Sequence, residues 1–224
     1  MFRVHEECLR LGLRAGAVLF RDVRIGTRAA ALHEAIEREA QVIQARFDNA
    51  SAIRALPEVA AFRELLRKVG VNPRHEQPSV ERLLSYALKR GDLPAVNSLV
   101  DAYNLISIRA LCSLGAHDLD AIDTPVSLQL LAGDESFTPL GSDKKMSVNS
   151  GEYGYLDARR RVLCRLDVVQ ADFSKVTTAT RNVLLIVEGT ASHAPEQMRR
   201  TVDDVIAVVT QYCGGTAEVA AWPA

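Results

Sequence analysis

Residues 94–131 read PAVNSLVDAYNLISIRALCSLGAHDLDAIDTPVSLQLL, and the hydrophobic period changes inside this stretch. Val96, Leu99, Val100, Tyr103 and Ile106 recur at three- and four-residue spacing, the mark of a helix from about Val96 to Leu111. From Asp118 the spacing falls toward two, and Val126–Leu131 alternates as a strand does. Upstream of the switch the pattern is mostly helical. Leu11–Arg24 reads as a strand or two, and Ala31, Ala35, Ile36, Val42, Ile43 and Phe47 mark a long helix after Thr27. Pro57 suits the first turn of a second helix that Gly70 stops, and Ser79 suits the cap of a third, Val80–Arg90, ended by Gly91. The two prolines between Asn72 and Pro78 predict an ordered connection. Downstream, Phe137–Leu140, Tyr153–Asp157, Val162–Val169 and Val183–Glu188 read as strands, and a last helix runs from Pro195 to Tyr212. Helices first and strands later, with no strand–helix alternation, make the class α+β.

The 224 residues are 48% apolar and 25% charged, an ordinary globular mixture that excludes disordered and fibrous classes. A compact chain of this size should expose about 10,000 Å². Residues 1–112 carry 17 basic and 13 acidic side chains, and residues 113–224 carry 10 and 15. Neither half has the excess of a protein that lives on phosphate contacts, so an RNA partner would be held by a local patch or transiently, and DNA is not expected. The 22 Arg against 5 Lys favour forked contacts to carboxylate or phosphate, although biased composition accounts for them equally. Cys8, Cys112, Cys164 and Cys213 stand far apart, which predicts single buried thiols in a reducing compartment and no zinc site. The first residues lack an apolar leader and no run reaches 18 apolar residues, so the expectation is a cytoplasmic protein without a membrane span. Glycine-rich phosphate loops, nucleophile elbows and paired metal-binding histidines are missing, and no cofactor or metal is expected.

Three blocks carry polar groups where apolar ones would be ordinary. Asn97, Asp101 and Asn104 fall on one face of the 96–111 helix, although short polar side chains compete with helical backbone bonds. They read either as a structural network or as a pocket wall. His117, Asp118 and Asp120 sit where helices give way to strands, and Asp118 could equally cap a turn. Thr177–Asn182 leads into the apolar run Val183–Val187, which ends in Glu188, a carboxylate that must emerge into solvent or meet a polar partner.

These blocks, in order, resemble the B3/B4 editing domain of the phenylalanyl-tRNA synthetase beta subunit. The resemblance rests on Val100-Asp101-x-x-Asn104, Asp118-x-Asp120-x-Ile122, Gly133-Asp134, Leu140-Gly141, Asp157 and Thr180-x-Asn182-Val-Leu-Leu, and is strongest over residues 75–213. It implies a β-sandwich of unusual topology with flanking helices, in one unit over 1–224 whose residues 1–74 form a strand and a helical N-terminal part. It resembles the free-standing members, not a complete synthetase. In the synthetase the domain hydrolyses the ester that joins a wrong tyrosine to tRNA. Carried over by position, Asn104 matches an asparagine of the amino-acid pocket. Gly115 stands where the family has a pocket histidine, with His117 two places on. Ile186 stands where a glutamate reads the tyrosine hydroxyl, with Glu188 two places on. Val168–Ala171 replaces a glycine-rich turn.

The resemblance implies an aminoacyl-tRNA deacylase acting in trans; the alternative is a non-catalytic module that binds an amino acid, a small ligand or RNA. The candidate substrate-binding residues are Asn97, Asp101, Asn104, His117, Asp118, Asp120, Thr180, Ile186 and Glu188, with no protein nucleophile assigned. Because Ile186 removes an acceptor, a smaller or apolar amino acid is the favoured ligand unless Glu188 takes over. tRNA or aminoacyl-tRNA, the implied partner, would meet Arg63, Arg67, Lys68, Arg74, Arg82, Lys89 and Arg90, with Arg159-Arg160-Arg161 as a second candidate patch.

Overall fold

The apolar run near the end of the chain is apolar because it is covered on both faces. In the computed structural model, which describes residues 1–223, β10 (Val183–Thr190) is buried along its whole length. Its neighbours are β2 (Leu13–Arg21) and β3 (Ser113–Asp118), both antiparallel to it, and β11 (Thr216–Ala221) pairs with the far edge of β2. The sheet order is β11-β2-β10-β3. A second sheet has the order β1-β4-β7-β8-β9, from β1 (Phe2–Val4), β4 (Val126–Leu130), β7 (Tyr153–Leu156), β8 (Val162–Arg165) and β9 (Val169–Gln170). In it, β1 runs parallel to β4 and the remaining pairs are antiparallel. Short strands β5 (Ser136–Phe137) and β6 (Met146–Ser147) form a separate ribbon.

The described residues form the helices α1 (Glu6–Leu11), α2 (Ala30–Arg46), α3 (Ala50–Arg54), α4 (Pro57–Lys68), α5 (Ser79–Arg90), α6 (Ser98–Ala110) and α7 (Pro195–Cys213). Of these, α4 and α7 pack on β10, while α5 and α6 pack on β3. Side chains alternate across β10. Gly189 faces the helical side, where a Cβ would stand 2.5 Å from Met198 Sδ. Ile186 and Glu188, of the other parity, face the second sheet, which the Tyr155 hydroxyl joins to β10 by donating to Glu188 Oε2. The molecule is therefore α+β, two facing sheets with helices on the outer face of one. Its accessible surface is 10197 Å², as the size law expects.

Differences from the sequence expectations have local causes. Val162–Val169 is not one strand, because Leu166 adopts φ 56° and turns the chain, making β8 and β9 a hairpin with Asp167 in its loop. Ser79 does not cap α5, whose cap position is Pro78. Instead Asp167 Oδ2, brought from the β8–β9 turn, accepts the Ser79 N–H at 3.0 Å, a carboxylate placed at the positive end of the helix. Strand β10 extends two residues past Glu188, so that carboxylate is inside the sheet and not at its exit.

Candidate functional site

Between the two sheets lies a cavity of about 420 Å³. Three elements of the helical half reach it: α5 gives Ser79 and Arg82, α6 gives Tyr103, and β3 gives Ser113, Gly115 and His117. Ile186 and Glu188 of β10 form its floor together with Tyr155 of β7, and the β8–β9 hairpin closes one side with Cys164, Asp167 and Gln170. Gly115 lies across the ladder from Ile186, and a Cβ built on it would meet nothing within 4 Å. Gly115 thus leaves room in the cavity.

The polar end of the cavity is acidic. Glu188 and Asp167 are 2% and 9% exposed, and one oxygen of each, Glu188 Oε1 and Asp167 Oδ1, has no hydrogen-bond partner among the described residues. Burial holds the Glu188 carboxyl well above its ordinary range, and repulsion from Asp167 adds to this against the Tyr155 hydrogen bond. Burial also raises Asp167, opposed by the Ser113 hydroxyl, which donates to Oδ2 at 2.7 Å, and by the Ser79 N–H. Ser79 Oγ lies 2.8 Å from Ser113 Oγ, which makes a chain of two hydroxyls ending on a carboxylate. Burial lowers His117 to about 4, so it is neutral at pH 7, and its Nδ1 lies 3.0 Å from Ser174 Oγ. Burial raises the Cys164 thiol, which is therefore protonated and a poor nucleophile.

Of the residues read from the sequence, the structure brings His117, Ile186 and Glu188 to the cavity, with Arg82 on its wall. The other substrate candidates stand elsewhere. Asn97 is the cap of α6, its Oδ1 accepting from the Leu99 and Val100 N–H groups at 3.1 and 2.9 Å. Asp101 is paired with Arg28, whose Nε donates to it at 2.9 Å while its terminal nitrogens hold Asp92, the Leu93 carbonyl and the Pro94 carbonyl. Asn104 is buried on α6 and does not line the cavity. Asp118 caps the turn at Leu119–Ala121 and accepts from the Thr180 hydroxyl, and Asp120 accepts from Asn182. The side chains of Asn97, Asp101, Asp118 and Asp120 are thus engaged in local structure.

Among the basic candidates, Arg63 is corrected most clearly. It is 9% exposed, and its guanidinium holds Glu81 at 2.7 Å and the Pro73 carbonyl. Arg67, Lys68, Arg74, Arg82, Lys89 and Arg90 are exposed, with Arg67 paired to Glu64. Arg159, Arg160 and Arg161 are each paired with acids, namely Asp123, Glu135 and Asp157 with Asp123. The sequence reading missed Asp167, Ser79, Ser113, Tyr103 and Tyr155. Asp167 had one signal, a lone acid inside an apolar run. Among the described residues no group of three or more His, Cys, Asp or Glu could hold a metal, and no helix is long and apolar enough to cross a membrane.

The cavity residues from Ser79 to Glu188 all fall within residues 61–214, the stretch that matches the family described as the B3/4 domain. The chain belongs to the B3/4 domain family. This B3/4 chain is 28% identical over 145 residues to the phenylalanine–tRNA ligase beta subunit of Drosophila melanogaster, a match covering 52% of the chain and 24% of that protein. It is 30% identical over 108 residues to the corresponding subunit of Methanocaldococcus jannaschii, covering 40% of the chain and 20% of that protein. The B3/4 chain thus matches a quarter or less of these relatives. Among solved structures it is similar to an N-terminal fragment of the phenylalanyl-tRNA synthetase beta-subunit from Pyrococcus horikoshii. That match is 14% identical with TM-score 0.49, covering 97% of this chain and 50% of the other.

Proposed function

We infer that this B3/4 chain hydrolyses the ester between a misattached amino acid and tRNA, acting in trans. The observation that carries the reading is the cavity of about 420 Å³ with two buried carboxylates at one end and Arg82 on its wall. That is a place for a polar amino-acid side chain beside a side chain suited to phosphate. Family membership and the tRNA ligase subunits among its relatives support the same reading. An aminoacyl ester is already activated. Water adds to the ester carbonyl, the carbon–oxygen bond to the ribose breaks, and the ribose oxygen leaves with a proton, giving free amino acid and tRNA. Holding the ester and a water in one orientation supplies much of the acceleration, so no protein nucleophile is needed. His117, neutral at pH 7, and the Ser79–Ser113–Asp167 chain are the groups able to orient that water.

The protein should deacylate at least one member of a panel of mischarged tRNAs, and Asp167→Asn should slow that turnover. A panel left intact, while positive-control deacylases clear theirs, would overturn the reading. The second reading, a binding module without catalysis, is favoured by the protonated Cys164 and by serines already engaged to Asp167. It expects retention of one amino acid or its ester with no hydrolysis.

A further inference from the structure

We propose that the acidic end of the cavity is a recognition site for a primary ammonium at the tip of an amino-acid side chain, bound between Glu188 and Asp167. The proposal rests on the aminoacyl reading above and names its substrate class, a basic side chain of the lysine type. Two carboxylates lining one cavity each keep an oxygen without a partner among the described residues, at 2% and 9% residue exposure. Buried carboxyl oxygens left in this state are costly, and each is relieved by a hydrogen-bond partner. A hydroxyl brings one donor and an apolar side chain none. An ammonium brings three, together with a positive charge beside Glu188, on which no cation acts.

Among the described surrounding groups only Arg82 supplies positive charge, and it acts on Asp167 and not on Glu188. Tyr155 and Tyr153 of β7, together with Cys8, Cys112 and Cys164, are held protonated and neutral by burial. His117 is neutral at pH 7. Arg82, the one cation among the described lining residues, directs a guanidinium nitrogen to the Val168 carbonyl at 3.0 Å. Asp167 already accepts the Ser79 N–H and the Ser113 hydroxyl on its other oxygen, so it keeps its charge more readily than Glu188, which holds its proton. An arriving ammonium favours the ionised form of both acids, and its binding therefore releases protons.

Calorimetric titration with Nα-acetyl-L-lysinamide, Nα-acetyl-L-norleucinamide, Nα-acetyl-L-tyrosinamide and L-norleucinamide tests this directly. The lysyl probe should bind at least tenfold more tightly than each of the others, with proton release visible as an enthalpy that changes with the ionisation enthalpy of the buffer. L-Norleucinamide carries only the α-ammonium and separates that source from the side chain. Glu188→Gln and Asp167→Asn should each cost the lysyl probe about tenfold and leave the norleucyl probe unchanged. If Asp167→Asn fails to fold, proton release by the unmodified protein decides. Equal affinities, a preference for the tyrosyl probe or L-norleucinamide, or lysyl binding without proton release would overturn the proposal. Probe binding is read without hydrolysis, so lysyl preference with an intact tRNA panel sinks the hydrolase reading alone. Deacylation of apolar esters without lysyl preference sinks this proposal alone.

Discussion

Glu188 lies within β10 at the floor of the cavity, 2% exposed, where an ionised group is poorly solvated. Its carboxyl is held well above the ordinary value of 4.5, first by burial and then by Asp167. Above that value the unfolded chain releases the proton while the native protein keeps it, so stability falls as pH rises until native Glu188 ionises. Glu188→Gln keeps an acceptor for the Tyr155 hydroxyl and removes the titration. Its melting temperature should exceed that of the unmodified protein at about pH 8 and converge with it near pH 4, by about 2–4 °C for each kcal/mol relieved. Thermal melts across that range check this, and a difference independent of pH would contradict it. Glu188 was legible in the sequence because a carboxylate closing an apolar run stands out, and His117 because it sits where helices give way to strands. Asp167 was not, since its partners Ser79 and Ser113 lie 88 and 54 residues away and no local pattern joins them.

At the scale of elements, the polar face of α6 shows why a polar stripe on a helix is ambiguous. The same Asn97 and Asp101 that suggest a pocket wall are consumed by the helix cap and by Arg28, which is 73 residues from Asp101. Asn97→Ala should cost about 0.5–2 kcal/mol as the loss of a cap, read in urea unfolding. Arg28→Ala should cost more, about 3–5 kcal/mol, because it leaves Asp101 buried without a counter-charge. Arg28→Lys should restore little of it, since an ammonium does not reproduce the fork that also holds Asp92 and two carbonyls. The long helices and β4, β7, β8 and β10 were legible from their periods. The short or exposed elements β1, α1, α3 and β11 were not, because three to six residues hold too little pattern to separate from a loop. The break between β8 and β9 depends on Leu166 adopting a positive φ that its sequence does not announce.

Across the whole molecule, three of the exposed candidate cations for an RNA partner share α5, from Arg82 at the cavity to Lys89 and Arg90 at the far end. The double change Lys89→Gln and Arg90→Gln should weaken tRNA binding and reduce the slope of log affinity against log salt by about 0.7–0.9 for each phosphate that is no longer neutralised. Filter binding at several salt concentrations measures it, and an unchanged slope would remove α5 as the docking face. The pairing of β2 with β10 and β11 has a consequence in time as well as in space. Residues 13–21 leave the ribosome before both their ladder partners, which lie beyond residue 182. Until those are made this apolar segment has neither neighbour, the long-range closure that slows folding and invites association between chains. A nascent chain arrested short of β10 should stay open to protease across residues 13–21. Protection there should arrive in one step, once β10 and β11 have emerged.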